Sequence, residues 1–304
     1  MALGTLNFEQ LDFTERPIKV RSGLTQIALD QTGKWMATSD AYMHVKVVRN
    51  QTALAFERDF NFLDDRIRAV QRIRGLAFSD NAEQLYVLAG DTMYAISTQN
   101  GETIWSYSPP RSFGFLVSSP LSVAAQNGVV AASLDNGSMV VWTQDGKLQN
   151  RFSHNDSPRY LSLVDDGKTI VGTDGFSIGM WDWQSGRQTS RIRTDQRIYG
   201  FAVSSRQRIA AAWTMLGAEI YDLSNGAKIS TIKSGPGLPN LALDPVNARI
   251  AVAERNGVLV SNFAGDRQTR FEVSDANVIS VQFAPDGSQV LVGGTDCAVR
   301  SFDL

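Results

Sequence analysis

Residues 160–192 read YLSLVDDGKTIVGTDGFSIGMWDWQSGRQTSRI, and the stretch divides itself into four strands. Tyr160 to Val164 is a short apolar strand, and Asp165-Asp166-Gly167 turns the chain. Thr169 to Gly172 forms the next strand, Asp174-Gly175 makes a tight turn, and Ile178 to Trp183 is the third. Ser185-Gly186 turns again and Thr189 to Ile192 is the outer strand. Glycine recurs in such turns because they need a positive φ, which a side chain disfavours. Gly33, Gly101, Gly146, Gly167, Gly186, Gly226, Gly265 and Gly287 all occupy turns of this kind, so they carry geometry and no phosphate-binding role. Gly172, Gly175 and Gly179 do not open a helix after a strand, which excludes a dinucleotide fingerprint.

The triplet Leu161-Ser162-Leu163 is one of a series. Leu121-Ser122-Val123, Phe201-Ala202-Val203, Leu241-Ala242-Leu243 and Val281-Gln282-Phe283 repeat its apolar, small, apolar layout at intervals of 40 residues. Ile27-Ala28-Leu29 and Leu76-Ala77-Phe78 extend the series at wider intervals of 49 and 45, so the array counts seven. A period of about 40 in a strand-rich chain is the mark of a β-propeller, since one four-stranded blade takes roughly that length. The sequence therefore predicts an all-β, seven-bladed β-propeller of four-stranded antiparallel blades, with blades starting near residues 24, 73, 118, 158, 198, 238 and 278. Seven units nearly fill residues 1–304 and leave no room for a second domain.

Composition agrees with a single closed array. Hydrophobic residues make up 43% and charged residues 20%, which supports a large buried core and argues against disorder. A formal charge of −2 gives nucleic acid or an anionic membrane no bulk attraction, so neither is an expected partner. No apolar run approaches the roughly 18 residues of a membrane span, and no secretion signal is read at the N-terminus. The single cysteine, Cys297, excludes an internal disulfide and a cysteine-rich metal site, so a reducing cytoplasm is the expected compartment. Cys297 falls in a turn of the last repeat and is read as a tolerated small side chain.

The third strand of the fourth repeat ends in Trp181-Asp182, and Ile220-Tyr221-Asp222, Val141-Trp142-Thr143 and Phe302-Asp303 stand at matching places. Inner strands run into Ser79-Asp80, Asp244-Pro245 and Ala284-Pro285-Asp286-Gly287, and Asp40, Asp91, Asp135, Asp174 and Asp296 occupy the turn between second and third strands. With these features the chain resembles the WD-repeat β-propeller family over essentially its whole length. It departs from the pattern in lacking a Gly-His dipeptide before any blade. With only His44 and His154 present, the family's Asp-His-Ser/Thr-Trp hydrogen-bond network cannot form in full. The second repeat, Met93 to Ser97 and Gly101 to Trp105, is similar instead to the tryptophan-docking repeats of quinoprotein-like propellers.

The last repeat stops at Leu304, after its third strand. A strand within residues 5–20, with Leu6, Phe8, Leu11 and Phe13 as apolar contacts, is expected to pair with that blade and close the ring. This is the closure the resemblance implies, and Pro17 is tolerated at such an edge.

Chemistry is sparse. His44 and His154 lie 110 positions apart with no cysteine, second histidine or carboxylate read at ligand spacing, so no metal site and no cofactor is expected. His154 reads as an exposed loop residue. There is no serine on a glycine-flanked elbow for nucleophilic catalysis. The turn aspartates Asp165, Asp166 and Asp286 have backbone donors to accept and need no acid or base role.

What remains is surface. The two long intervals come from links between an outer strand and the next inner strand. Link one is read as containing Phe56, Arg58, Phe60, Phe62, Leu63, Arg66, Arg68, Arg72 and Arg74, and link two Tyr107, Pro109, Pro110, Arg111, Phe113 and Phe115. Arginine and aromatic residues anchor interfaces when desolvated together. The same phenylalanines could equally fill a satellite core beneath the link, and the sequence leaves both readings open. Arginine outnumbers lysine 22 to 7, and Arg72, Arg74, Arg159 and Arg197 each precede an inner strand, with Tyr160 and Tyr199 beside two of them. They ring the channel mouth, ready for an acidic peptide or phosphate unless they pair with turn aspartates. Of the six tryptophans, Trp183 is the one expected to be exposed.

The expected function is a non-catalytic protein–protein interaction scaffold, a subunit or adaptor of a larger assembly whose partner is another protein or an acidic peptide. The expected surface comprises Arg58, Phe60, Phe62, Arg66, Arg68, Arg74, Phe113, Arg159 and Arg197. The alternative is a small-ligand or phosphate sensor, or an enzyme, using the channel mouth. A propeller enzyme would bring a cluster of histidines or carboxylates into the channel, and the scarcity of histidine argues against it.

Overall fold

The computed structural model describes residues 24–50, 53–60, 72–112, 116–153, 158–273, 276–296 and 298–304. Within them the chain forms seven small antiparallel sheets arranged in a ring, six of four strands and one of three, each a meander in which consecutive strands are neighbours. The inner strands begin at Leu24, Ile73, Pro120, Tyr160, Gly200, Leu241 and Val278. A two-stranded hairpin, Arg111–Ser112 with Leu116–Val117, stands in the second long link.

The ring exists because each blade is apolar on both faces. In the second strand of blade three, Ala131 packs toward blade four while Ala132 packs toward blade two. In blade five, Ala210 and Ala212 meet blade four and Ala211 meets blade six. Successive residues of a strand point to opposite faces, so a strand buried on both sides reads as a continuous apolar run.

One apolar core fills each gap between neighbouring blades. The last gap joins Ile27, Met36 and Val48 of blade one to Leu291 and Val299 of blade seven, and this packing brings the first and last described blades together. The expected closing strand within residues 5–20 lies outside the described residues.

Local chemistry sets the turns. All eight turn glycines named above take a positive φ. At Gly167 (φ +79°) a Cβ would also meet the carbonyl of Gln126 in the preceding blade at 2.7 Å, so the tight turn and the approach of two blades require the same residue. Outer strands show the half-exposed alternation of an edge, as in Arg187–Arg193. Their pairing with the third strand shifts register at Val47/Val48, Ala95/Ile96, Val141/Trp142, Met180/Trp181 and Ile220/Tyr221. A recurrent bulge of this kind adds twist at the rim.

Three expectations need correction. Phe56 and Arg58 belong to the outer strand Ala53–Asp59, Arg74 to the inner strand Ile73–Phe78 and Tyr107 to the outer strand Thr103–Tyr107, and not to the links. Trp183 is buried, and its indole N–H donates to the carbonyl of Gly167 at 2.6 Å. The third strand ends at Asp182, so the alternation that would turn residue 183 outward no longer applies there. His44 also has carboxylate neighbours. Its Nδ1 lies 3.2 Å from Asp40, four residues back, and its Nε2 faces Asp59 on the paired outer strand. No group of three or more metal-ligating side chains occurs among the described residues.

Candidate docking face and rim pocket

In a four-stranded meander the links from outer to inner strands and the turns between second and third strands emerge at the same end of the blade. Among the described residues, that end carries Arg58, Phe60, Arg74, Arg159 and Arg197. Arg74 is half-buried and donates to the carbonyl of Pro120 across the next blade at 3.2 Å, so it ties two blades together. Arg58 donates to Thr103 Oγ1 at 2.9 Å and to the carbonyl of Gly101, and its guanidinium carbon lies 4.8 Å from the Phe60 ring centroid.

Phe60 itself is fully buried against Tyr94, ring centroids 5.3 Å apart. Its expected place on a docking surface is therefore corrected: it is core, as is Phe56, whose ring sits against Gly101. The satellite-core reading holds for these two residues. Phe62, Arg66, Arg68 and Phe113 lie outside the described residues, as do His154 and Cys297.

Arg159 and Arg197 are brought together. Each precedes the inner strand of its blade, and they line a cavity of about 240 Å³ between blades four and five, together with Tyr160, Phe176 and Tyr199.

 Both arginines are exposed, and neither forms an ion pair among the described residues. The Arg197 guanidinium carbon stands 5.5 Å from the centroid of the Tyr199 ring, which in turn meets Trp213 edge-on at 6.2 Å. The Tyr160 hydroxyl donates to the carbonyl of Tyr199 at 2.6 Å, fixing one wall to the other.

Asp174 is the pocket's acidic residue, and its charge is already engaged. Burial alone would raise its pKa, but the N–H groups of Phe176 and Ser177, the Ser177 hydroxyl and the Arg191 guanidinium at 2.9 Å outweigh that and hold it below the usual carboxylate range. A depressed folded-state pKa contributes stability above the unfolded value of about 4, and that contribution is lost as pH falls through the folded value. Asp174→Asn should therefore melt below the parent at neutral pH, with the gap closing in acid. Melting curves from pH 7 to pH 3 check this, and a gap that stays constant would refute it.

Sequence reading missed the apolar residues of the same face. Phe176 is 60% exposed, Met215 77% and Leu216 58%, all in turns between second and third strands of blades four and five. Leu238, in the next link, is exposed as well. The link holding it crosses blade five closely, since a Cβ on Gly200 would fall 2.0 Å from the Pro239 carbonyl. A signal was present: Met215-Leu216 places two apolar residues where other blades carry Asp40, Asp135-Asn136, Asp174-Gly175 or Asp296.

At the opposite end the channel widens into a cavity of about 340 Å³, whose lining mixes Leu29, Phe78 and Val123 with Gln31, Gln126 and Gln282. No helix among the described residues is long and apolar enough to cross a membrane. Residues 265–303 match the family model described as WD domain, G-beta repeat. That span runs from the outer strand of blade six through the three described strands of blade seven, so the sequence repeat is offset from the structural blade. A search of curated proteins finds no match.

Proposed function

We propose that this chain, whose matched repeat and seven-bladed ring support a WD-repeat propeller family, is a non-catalytic scaffold that docks another protein on its link-bearing face. WD-repeat propellers are commonly protein-interaction scaffolds and typically non-enzymatic. The observation that carries the reading is the clustering of Phe176, Met215, Leu216 and Leu238 on neighbouring blades at one end of the ring. Exposed apolar residues elsewhere, such as Leu54, Ile104, Leu148 and Ile229, stand singly on separate outer strands. Scattered apolar residues need no explanation, whereas a group beside arginines that form no ion pair among the described residues has the composition of an interface centre.

Partner capture tests it. Phe176→Asp combined with Met215→Asp should reduce recovery of co-purifying protein from the native cell extract at least about tenfold, as expected where a buried anchor is worth about 2 kcal/mol. Thermal stability should hold, because both side chains are exposed. Leu148→Asp with Ile229→Asp on the outer strands serves as the control. If the control abolishes capture and the face variant does not, the partner docks on the rim of the ring and this assignment is wrong.

A further inference from the structure

We propose that the pocket between blades four and five is an anion subsite for a carboxylate side chain of an acidic peptide segment in the docked partner. The inference rests on the scaffold reading and specifies the chemistry recognised at one point of that face. Charge supplies the first argument. Arg159 and Arg197 enter the pocket from adjacent blades without an ion pair among the described residues, while the acidic neighbour, Asp174, is compensated by Arg191. An anion placed there meets uncompensated positive charge.

The donors decide which anion. The backbone N–H of Arg159 donates to Thr173, that of Ile198 to Gly175 and that of Tyr199 to Trp213. The N–H of Gly175 goes to Thr173 Oγ1 and that of Phe176 to Asp174. The Tyr160 hydroxyl is spent on Tyr199. No nest of free N–H groups is therefore offered by these residues, and such nests are how backbone commonly holds phosphate. What remains is two guanidinium forks, which match a carboxylate two bonds at a time. The aromatic rings of Tyr160, Phe176 and Tyr199 suit the aliphatic stem of glutamate, and the exposed Met215 and Leu216 offer apolar contact to a neighbouring residue of the same segment.

Fluorescence anisotropy with the full chain tests the proposal directly. The probes are a labelled peptide alternating glutamate and leucine, its glutamine counterpart, a phosphoserine counterpart, and inorganic phosphate as competitor. The acidic peptide should bind and weaken with added salt. The glutamine peptide and the Arg159→Gln, Arg197→Gln double variant should each bind at least about tenfold more weakly, while Arg206→Gln, an exposed arginine in a turn at the other end of blade five, should leave binding unchanged. Absence of acidic-peptide binding, equal binding of the glutamine peptide, or unchanged binding by the double variant would overturn the proposal. Tighter binding of the phosphoserine peptide, or displacement by millimolar phosphate, would overturn the choice of carboxylate. Loss of partner capture in Phe176→Asp, Met215→Asp with intact capture in the arginine variant would leave the scaffold reading standing and sink the subsite alone.

Discussion

Asp244→Ala should destabilise the protein by about 3–5 kcal/mol, whereas Asp286→Ala, in the corresponding turn of the next blade, should cost under about 1 kcal/mol. Asp244 is fully buried after the inner strand of blade six. Its carboxylate accepts from the N–H of Val246 at 2.8 Å, the N–H of Asn247 at 2.9 Å and Arg249 Nε at 2.8 Å. Arg249 also donates to the carbonyl of Gly287 in blade seven, and its guanidinium lies 5.9 Å from the Phe283 ring. Removing the carboxylate leaves two part-buried N–H groups without an acceptor and a half-buried cation without its counter-charge. Asp286 is exposed and accepts mainly from Ser288, so water can replace it. Urea unfolding of both variants measures the contrast, and equal losses would show that burial of the carboxylate is not what matters. Asp244→Asn should recover part of the loss because it keeps an acceptor.

Trp181→Ala is expected to cost a similar 3–5 kcal/mol, for a different reason. The indole is 2% exposed and packs against Met139 and Val141 of blade three as well as Leu161 and Ile170 of its own blade. Room for it comes from glycine: Gly172 and Gly179 are cross-strand partners, and a Cβ on Gly179 would fall 2.2 Å from the ring. Gly179→Ala alone should therefore destabilise by displacing the indole. In the Trp181→Ala background the same methyl meets no ring and should cost far less. A double-mutant cycle reads this coupling, and additive losses would mean that Gly179 acts through its backbone and not through the tryptophan.

The residues of the candidate face were legible to different degrees. Arg159 and Arg197 drew notice from sequence because each precedes an inner strand, but they stand 38 positions apart and nothing local shows that they enter one pocket. Phe60 has the composition of an interface anchor and the environment of a core residue. Its ring direction depends on Tyr94 and Arg58, one in the next blade and one in the strand before it.

The sequence by itself determined the blade count, the strand order and the turns, because these follow from short-range causes: alternation with a period of two, glycine where φ is positive, and a spacing of 40 that returns each inner strand to an equivalent place. Tertiary structure decided burial wherever a strand ends. Trp183 turns inward once its strand has stopped, and His44 meets Asp59 only through strand pairing. It also decided which side chains share the pocket between blades four and five. Burial and charge pairing are set by whichever neighbouring blade lies within a few ångströms, and that neighbour is distant in the chain.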